Sequence, residues 1–317
     1  MAFTIAAGLR LMLMTYSRWL SKLTLSLLVA CCWLPAATWA GPPAQGLPSA
    51  LLMFPYVQAD GVTDTRVEMV NLSGDPQTVN CFWVTGDLTC NEVGFIVTMT
   101  PYQPLSWLAS EGLSDPTSGA AAPPFFGTGQ LRCAVIPPRP ELDFHNTIQG
   151  RITVFTSDGE TVSYGAVAFR RLSAGDFDGL VSLDGITYEQ CPDRLHFDAL
   201  ADTPSATSDL ILAPCTLNLQ TQVPATVTVQ FLIINEFEQT FSTSMGVTCF
   251  SRRTFNTITD SLVRSTIGTD TLHMVVRGSN GALIGLVIDG VSLVGSFGTA
   301  GNEPSLQGGR SATVTFP

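Results

Sequence analysis

Residues 67–84, VEMVNLSGDPQTVNCFWV, decide the fold of this chain. Apolar and polar residues alternate on both sides of a central turn, as they do in strands with one buried face. The turn ends at Pro76, which has no N–H to donate to a sheet and a fixed φ angle. The stretch therefore predicts a strand, a tight turn and a second strand that pairs back as a β-hairpin.

A related stretch returns at residues 231–250, FLIINEFEQTFSTSMGVTCF. Its FLIIN matches VEMVN at 67–71, and its VTCF matches VNCF at 79–82. Before it, LILAPC at 210–215 matches LLMFPY at 51–56. The order is kept and the spacing drifts, which predicts a tandem duplication. Chance similarity between strands is the alternative.

The remaining strand patterns are short and separated by Gly, Pro and Asn turns, and no long pattern of 3.6-residue period interrupts them. Asp-Gly at 158–159 and Asn-Gly at 280–281 predict two further hairpins. We therefore predict an all-β fold of two tandem antiparallel β-sandwich (Ig-like) modules with long Pro/Gly loops. The predicted boundaries are a signal peptide at 1–40, a linker at 41–49, sandwiches at 50–175 and 209–317, and a connecting segment at 176–208.

The amino terminus has the pattern of a secretory leader. Basic residues precede a short apolar run at 23–34, and small residues follow it, so we expect cleavage after Ala40. A lipoprotein signal at Cys31 is the less favoured alternative, because the residues after it stay apolar. No later segment is apolar for the length of a membrane span. The sequence predicts a secreted, periplasmic or cell-surface protein without membrane insertion after leader removal.

The charged residues of the mature chain limit which partners it can bind and which catalytic mechanisms it can use. Residues 41–317 carry 12 arginines, 26 acidic residues and no lysine, a formal charge of −14. This balance opposes nucleic-acid binding and docking on anionic lipid, both of which need a basic surface. The single lysine, Lys22, lies in the leader, so a Schiff-base lysine, a pyridoxal-phosphate anchor and a Walker-A lysine are all excluded.

Six cysteines remain after leader removal, an even number that indicates disulfides in an exported protein. They are Cys81, Cys90, Cys133, Cys191, Cys215 and Cys249. The cysteines lack the clustered CxxC-type spacing that would indicate a zinc site. The sequence leaves the pairing open; proximity favours Cys81 with Cys90, and the repeat favours Cys215 with Cys249.

The three histidines are candidates for acid–base chemistry. Asp143 and Asp198 lie two residues from His145 and His196, so each pair shares a face if its segment is a strand. A hydrolase also needs a nucleophile in a strained turn, yet the chain has no GxSxG, and GVSLVG at 290–295 has the wrong spacing. Surface or loop positions without a catalytic role are the simpler interpretation of all three histidines, His273 included.

Two acidic patterns are weaker candidates for a metal site or a catalytic site. Residues 176–179, DFDG, with Asp184 and Gly185 downstream, resemble part of a calcium loop but lack its final glutamate, so a turn-rich linker is the simpler interpretation. Glu236 and Glu238 share a face, and a retaining glycosidase needs two carboxylates about 5 Å apart. Neighbouring acids in a turn are common, and we predict no catalytic residue, no metal ligand and no cofactor.

Aromatic residues surround a long loop at 114–129. Tyr102, Trp107, Phe125 and Phe126 would form a binding platform if their rings faced solvent. Rings that pin the loop onto the core are the simpler interpretation.

The run 230–244, QFLIINEFEQTFSTS, with LAPC at 212–215 before it, resembles a family of uncharacterised secreted β-rich proteins from environmental bacteria. YQPLSW at 102–107 and GQLRC at 129–133 are similar to the same family, so the resemblance spans most of residues 50–255. It implies export and a cysteine-bearing β fold, and no activity is known for the family.

The sequence thus predicts an exported, non-enzymatic structural or adhesive protein that binds an extracellular protein or a glycan through loops at the sandwich ends. The alternative is a carbohydrate-active or other hydrolytic enzyme that uses Asp and Glu residues of those loops. A calcium-stabilised surface module is a third hypothesis. Two carboxylates, or a His–Asp pair, converging in a deep pocket would favour the enzyme. Oligomeric state is left open.

Overall fold

The computed structural model of the chain describes residues 44–115, 120–136, 145–173, 179–293 and 296–317. The predicted leader, its cleavage position after Ala40 and the lipidation candidate Cys31 lie outside the described residues.

Short strands make up the described part of the first half. They are β1 (Ala44–Gln45), β2 (Leu51–Ala59), β3 (Thr63–Asn71), β4 (Gln77–Thr85), β5 (Glu92–Met99), β6 (Pro104–Leu108), β7 (Leu113–Asp115), β8 (Ala120–Ala122), β9 (Gly127–Ile136), β10 (Ile148–Thr156), β11 (Thr161–Gly165) and β12 (Val167–Phe169).

The second half adds twelve strands and three single-turn helices in its described residues. The strands are β13 (Leu180–Leu183), β14 (Arg194–Leu200), β15 (Ala206–Pro214), β16 (Leu217–Asn218), β17 (Thr226–Asn235), β18 (Thr240–Thr248), β19 (Ser251–Thr254), β20 (Thr271–Gly278), β21 (Leu283–Leu293), β22 (Ser296–Asn302), β23 (Ser305–Gln307) and β24 (Ala312–Thr315). The helices α1 (Phe255–Ile258) and α2 (Arg264–Ile267) flank a 3₁₀ turn at Asp260–Leu262. None of the helices in this part of the chain has the length and hydropathy needed to cross a bilayer.

Each half contributes one inner and one outer sheet. The first inner sheet has the order β1-β12-β2-β9-β4-β5, and the first outer sheet β11-β10-β3-β6. The second inner sheet has the order β19-β15-β21-β22, and the second outer sheet β18-β17-β20-β14-β23. A small sheet, β13-β24-β16, and the hairpin β7-β8 complete the described strands.

The ladders confirm the prediction of an all-β fold with antiparallel sheets. Among the described strands every pair is antiparallel except β16 with β24. The hairpin predicted around Asp158-Gly159 is also present, since β10 pairs with β11 across it.

Burial patterns explain which strands lie inside. β2 is buried along almost its whole length, and so is the stretch 210–214 of β15, because both sequences are continuously apolar. Strands of the outer sheets alternate instead, as β17 does from Thr226 to Asn235. A strand that is apolar on both faces needs a layer on each side, whereas an alternating strand leaves one face to solvent.

The two halves share a core, which corrects the expectation of two tandem Ig-like modules. Leu51 and Met53 of β2 belong to the same buried cluster as Ala213 of β15 and Ile284 of β21. A second cluster lies mostly between the first inner and first outer sheets and also includes Ile211 and Leu286 of the second inner sheet. A third fills the space between the second inner and second outer sheets. The physical reason is the second apolar face of each inner sheet, which a separate module would leave in water. Residues 176–208, predicted to connect the modules, contain β13 and β14, and β14 is an interior strand of its sheet.

The hairpin predicted at 67–84 is wrong in its pairing, although both strands are present. β3 pairs with β10 and β6 in the first outer sheet, whereas β4 pairs with β5 and β9 in the first inner sheet. The turn therefore carries the chain from one layer to the other. The hairpin predicted around Asn280-Gly281 is wrong in the same way, because β20 and β21 lie in different sheets.

Pro55 lies inside a strand, an unusual position for proline. β2 continues through it to Ala59. The register with β9 shifts between Phe54 and Val57, so Pro55 lies at a β-bulge. A bulge leaves one residue without a ladder bond, which is where a proline without an N–H fits inside a sheet.

All six candidate cysteines form disulfides, with a pairing that corrects the favoured one. Cys81 bonds Cys133 directly across the β4–β9 ladder, and Cys191 bonds Cys215. Cys90 bonds Cys249 over a sequence separation of 159 residues, so this bridge joins the two halves. Proximity misled the prediction because Cys81 lies within a strand whose neighbours place Cys133 opposite it.

A buried arginine also joins the halves. Arg132 of β9 is fully buried, and its Nη1 donates to the Cys215 carbonyl at 2.8 Å while its Nη2 donates to the Pro214 carbonyl. Its Nε donates to Gln130 Oε1 at 3.0 Å, and Gln130 Nε2 donates to the Cys249 carbonyl at 2.9 Å. Burial lowers the pKa of Arg132 to about 9. The guanidinium thus exchanges water for carbonyl oxygens of the opposite inner sheet.

Candidate functional site

The predicted acidic and histidine motifs divide into those that the structure describes and those that it does not. Asp143, Asp176 and Asp178 lie outside the described residues, so their motifs stay predictions. His145 is buried. Asp184 accepts hydrogen bonds from the backbone N–H groups of residues 186 and 187, at 2.8 and 2.6 Å, which is the geometry of a turn.

Glu236 and Glu238 lie in the exposed turn between β17 and β18. Thr271 donates its hydroxyl to Glu236 Oε1 at 2.6 Å, which ties that carboxylate to β20. Glu238 has a φ of 60°, a left-handed turn conformation. The Glu236 carboxylate therefore has a structural contact within the turn.

The aromatic residues around 114–129 do not form one platform. Trp107 and Phe125 are buried, and Phe125 stacks on Trp83 with ring centroids 5.2 Å apart. Tyr102 and Phe126 are each 68% exposed. The rings of Trp107 and Phe125 pin the loop onto the core, as the simpler interpretation had it.

The second outer sheet brings one predicted pair together with a third residue. His196 and Asp198 share the solvent face of β14, and Asp198 lies directly opposite His273 of β20. The contact that forms is between Asp198 Oδ1 and His273 Nδ1, at 2.7 Å, and His196 Nδ1 lies 3.3 Å from His273 Nε2. At the other end, His196 Nε2 lies 2.9 Å from Gln307 Oε1 of β23. The strand face was predicted, whereas the partner from β20 was not.

A groove of about 690 Å³ lies on the same face beside these residues. Its floor comes from β17, β18 and β20, where the register places Ser244 opposite Gln230 and Gln230 opposite Arg277. Hydroxyl, amide and guanidinium groups thus form a row across three strands. The lining residues are Arg194, Gln230, Phe231, Leu232, Ser242, Thr243, Ser244, Val275 and Arg277.

Three arginines gather around one carboxylate at the edge of this groove. Asp193 Oδ2 lies 3.2 Å from Arg277 Nε and 3.8 Å from Arg194 Nε, and Asp193 Oδ1 lies 2.9 Å from Arg310 Nη2. The side chains of Arg194 and Arg277 are 48% and 45% exposed. One negative charge is shared by three positive ones, so the cluster has a local surplus of two positive charges. Like charges on neighbouring strands repel each other, and the single Asp193 carboxylate offsets only part of that repulsion.

The sequence contained a partial signal for this site. Arg194, His196 and Asp198 alternate along one strand, so they share a face by the same argument that linked His196 to Asp198. Arg277 and Arg310 are distant in sequence from Asp193; the β14–β20 ladder brings Arg277 beside β14, and an isolated bridge between Arg310 and Cys191 brings Arg310 close to Asp193. Within the described ranges, no group of three or more His, Cys, Asp or Glu side chains is placed to hold a metal ion.

Comparisons with known proteins give no family. No family model and no curated protein matches the chain. Among solved structures, the chain is similar to the N-terminal CBM22-1–CBM22-2 tandem domain of Xyn10C from Paenibacillus barcinonensis, with 10% identity over 83% of this chain and 85% of that one. It is also similar to the PBSX exported protein XepA, with 11% identity over 77% of this chain and 88% of that one. Both TM-scores are 0.19, too low to establish a shared fold or function.

Proposed function

We propose that the chain is an exported, non-enzymatic binding protein and that the groove of the second outer sheet takes an anionic ligand rich in hydroxyl groups, such as an acidic glycan. The observation that carries the proposal is the cluster of Arg194, Arg277 and Arg310 around the single carboxylate of Asp193. In a mature chain of formal charge −14, a local surplus of positive charge at a groove is the exception. Guanidinium groups recognise carboxylates and phosphates through paired N–H donors.

The rest of the groove supports a polyhydroxylated ligand. Ser244 and Gln230 present a hydroxyl and an amide in register along the row, and Ser242, opposite Leu232, adds a hydroxyl beside it. Phe231 contributes to the lining, but its ring belongs to the buried core cluster on the other face of the sheet. Stacking of a sugar on an aromatic face is therefore not the basis of recognition, and charge with hydrogen bonding takes its place.

The three disulfides support the exported part of the proposal. Disulfides form and persist in oxidising compartments and are rare in the cytosol. The predicted cleavage after Ala40 and the periplasmic or extracellular destination belong to the same proposal. Amino-terminal sequencing of the purified product tests them, and a mature chain that begins at Gly41 is expected.

The binding test uses an oligogalacturonate as the acidic probe and a cello-oligosaccharide of equal length as the neutral probe, with titration calorimetry as the measurement. We expect binding of the acidic probe, weakening with salt, and a loss of about tenfold or more in affinity for the double variant Arg194→Ala/Arg277→Ala. Arg151→Ala is the matched control, because Arg151 is an exposed arginine paired with Glu68 on the other outer sheet.

Two results would overturn the proposed ligand. One is equal affinity for the neutral and acidic probes, which would remove the role of charge. The other is an unchanged affinity in the double variant with a loss in Arg151→Ala, which would place the site on the first outer sheet.

A further inference from the structure

The His196–His273 contact on the second outer sheet has an unusual feature in its proton arrangement. An ionised carboxylate only accepts hydrogen bonds. Asp198 Oδ1 lies 2.7 Å from His273 Nδ1 and therefore holds the proton of His273 on that nitrogen. The amide oxygen of Gln307, 2.9 Å from His196 Nε2, holds the proton of His196 on that nitrogen. A neutral imidazole carries one N–H, so the two remaining nitrogens each present a lone pair.

Those lone pairs face each other. His196 Nδ1 and His273 Nε2 are 3.3 Å apart, and both rings are partly exposed at the sheet surface. Two lone pairs at this distance repel unless a cation lies between them. The acceptors Asp198 and Gln307 favour this pair of tautomers, and His196 moves its proton to Nδ1 only if the Gln307 amide rotates to donate instead.

We propose that His196 and His273 form a two-histidine site for a divalent transition-metal ion of the zinc type. Zinc–nitrogen bonds of about 2.0–2.1 Å at the tetrahedral angle place two nitrogens about 3.3 Å apart. Imidazole nitrogens suit Zn²⁺ and its neighbours Cu²⁺ and Ni²⁺. The exposed side of the contact leaves two coordination positions to solvent, so the site binds more weakly than a structural zinc site with four protein ligands.

Asp198 and Gln307 act as positioning residues in this site. Histidines that bind metals usually donate their second N–H to a carboxylate or a carbonyl oxygen, which sets the tautomer and the ring orientation. Asp198 supplies a carboxylate to one ring and Gln307 an amide oxygen to the other. The sequence predicted no metal ligand here because the two histidines are 77 positions apart and only the β14–β20 ladder joins them.

The test titrates the tag-free, disulfide-intact chain, freed of metal with chelator, with ZnCl₂ in a calorimeter. We expect one binding event in the parent, and a loss of at least about tenfold in affinity in His196→Gln and in His273→Gln. Asp198→Asn is expected to weaken binding by about 10-fold to 100-fold without a change in melting temperature, and Asp198→Glu to restore part of the affinity. Thr228→Ala is the matched control, because Thr228 is exposed on the same face of the sheet, in β17, and lies outside both the groove lining and the histidine pair.

Co²⁺ provides a second measurement that does not depend on heats of binding. A visible absorption band typical of tetrahedral Co²⁺ is expected in the parent and absent in both histidine variants. Absence of zinc binding and of the band in the parent would overturn the proposal, because a proton alone would then separate the nitrogens. Parent-like binding in both single variants would also overturn it, since the metal would lie elsewhere. The probe is the metal alone, so either outcome is independent of the groove ligand.

Discussion

Residues 67–84 and 231–250 have related sequences but fold differently. In the first, β3 stays in the first outer sheet while β4 crosses to the inner sheet. In the second, β17 and β18 stay together as an antiparallel hairpin in one outer sheet. The turns themselves are related: Asn71 and Asn235 are both buried, and each accepts the backbone N–H two residues ahead at 2.9 Å.

The difference comes from the strand after the turn. Near its end, β4 has four consecutive buried residues, Cys81 to Val84, which need a layer on both sides. β18 has no such run, and its alternate residues are exposed from Thr240 to Gly246. The comparison teaches that turn chemistry marks where a chain reverses, whereas the apolar run that follows decides which sheet receives it.

The largest expected effect comes from truncating one side chain in β4 and one in β18, the strands that follow the two turns. Trp83 is buried, its indole N–H donates to the Pro123 carbonyl at 3.0 Å, and its ring lies against Phe95 and Phe125. Trp83→Ala should lower the free energy of unfolding by about 3–5 kcal/mol, because it leaves a cavity and an unpaired carbonyl. Met245→Ala in β18, at a half-buried position, should lower it by about 1 kcal/mol. Urea unfolding followed by circular dichroism measures both.

Tyr102→Ala serves as the control for loss of an aromatic ring, since Tyr102 is 68% exposed and its removal should change stability by less than about 0.5 kcal/mol. Equal losses for Trp83→Ala and Met245→Ala would contradict the distinction between inner and outer strands.

A smaller effect tests whether the two turns are equivalent. Asn71 Nδ2 donates to the carbonyls of Asp75 and Thr100, and Asn235 Nδ2 donates to the Ile267 carbonyl and to Gln239 Oε1. Asn→Ala at either position leaves buried polar groups unpaired and should lower the free energy of unfolding by about 2 kcal/mol.

Asn→Asp at each position keeps the accepting oxygen and loses the donor, so an intermediate loss is expected from the same unfolding measurement. Losses that differ between the two positions by more than about 1 kcal/mol would show that the related sequences do different work.

The smallest expected effect is the pH dependence of stability that Glu92 produces in the first half of the chain. Burial raises the pKa of Glu92, at the start of β5, to about 7, against a hydrogen bond from Gln222 that lowers it. The folded chain therefore binds this proton more tightly than the unfolded chain does. The stability that the protonated form contributes is fully present below about pH 4.5 and is lost as the pH rises through about 7.

Melting temperatures across this pH range measure the effect, with Glu92→Gln as the matched variant. Glu92→Gln should match the parent at acidic pH and exceed its melting temperature above about pH 7. A constant difference between the two chains at every pH would refute the assignment to Glu92.

Much of the local structure could be predicted from sequence, and much of the pairing could not. Alternation and turn residues located β3, β4, β10, β11, β17 and β20 within a few residues. Asn280 looked like a hairpin residue, yet its Oδ1 accepts the Thr228 N–H of β17 instead of closing β20 onto β21. Pairing depends on contacts between distant segments, which alternation does not encode. The buried runs at 81–84 and 210–214 did encode the inner layers.

The candidate site was predicted only where it lies within one strand. Period-two alternation correctly placed His196 and Asp198 on one face of β14, but the partner of Asp198 is His273 on β20. Arg277 reaches Asp193 through the β14–β20 ladder, and Arg310 through an isolated bridge to Cys191, so both contacts depend on pairing between distant segments. Buried Arg132 was also missed as a structural residue, because arginine in a strand predicts an exposed position.

The bridge between Cys90 and Cys249 constrains the biogenesis of this protein. Cys81 and Cys90 leave the ribosome almost together. Cys249, the partner of Cys90, follows 159 residues after Cys90. Oxidation in order of emergence would couple these two early thiols to each other, a mismatch for both. A cell that makes this chain must therefore delay oxidation until the carboxyl-terminal half arrives, or reshuffle the mispaired thiols afterwards. Co-expression of a disulfide isomerase is therefore expected to raise the yield of correctly paired chain.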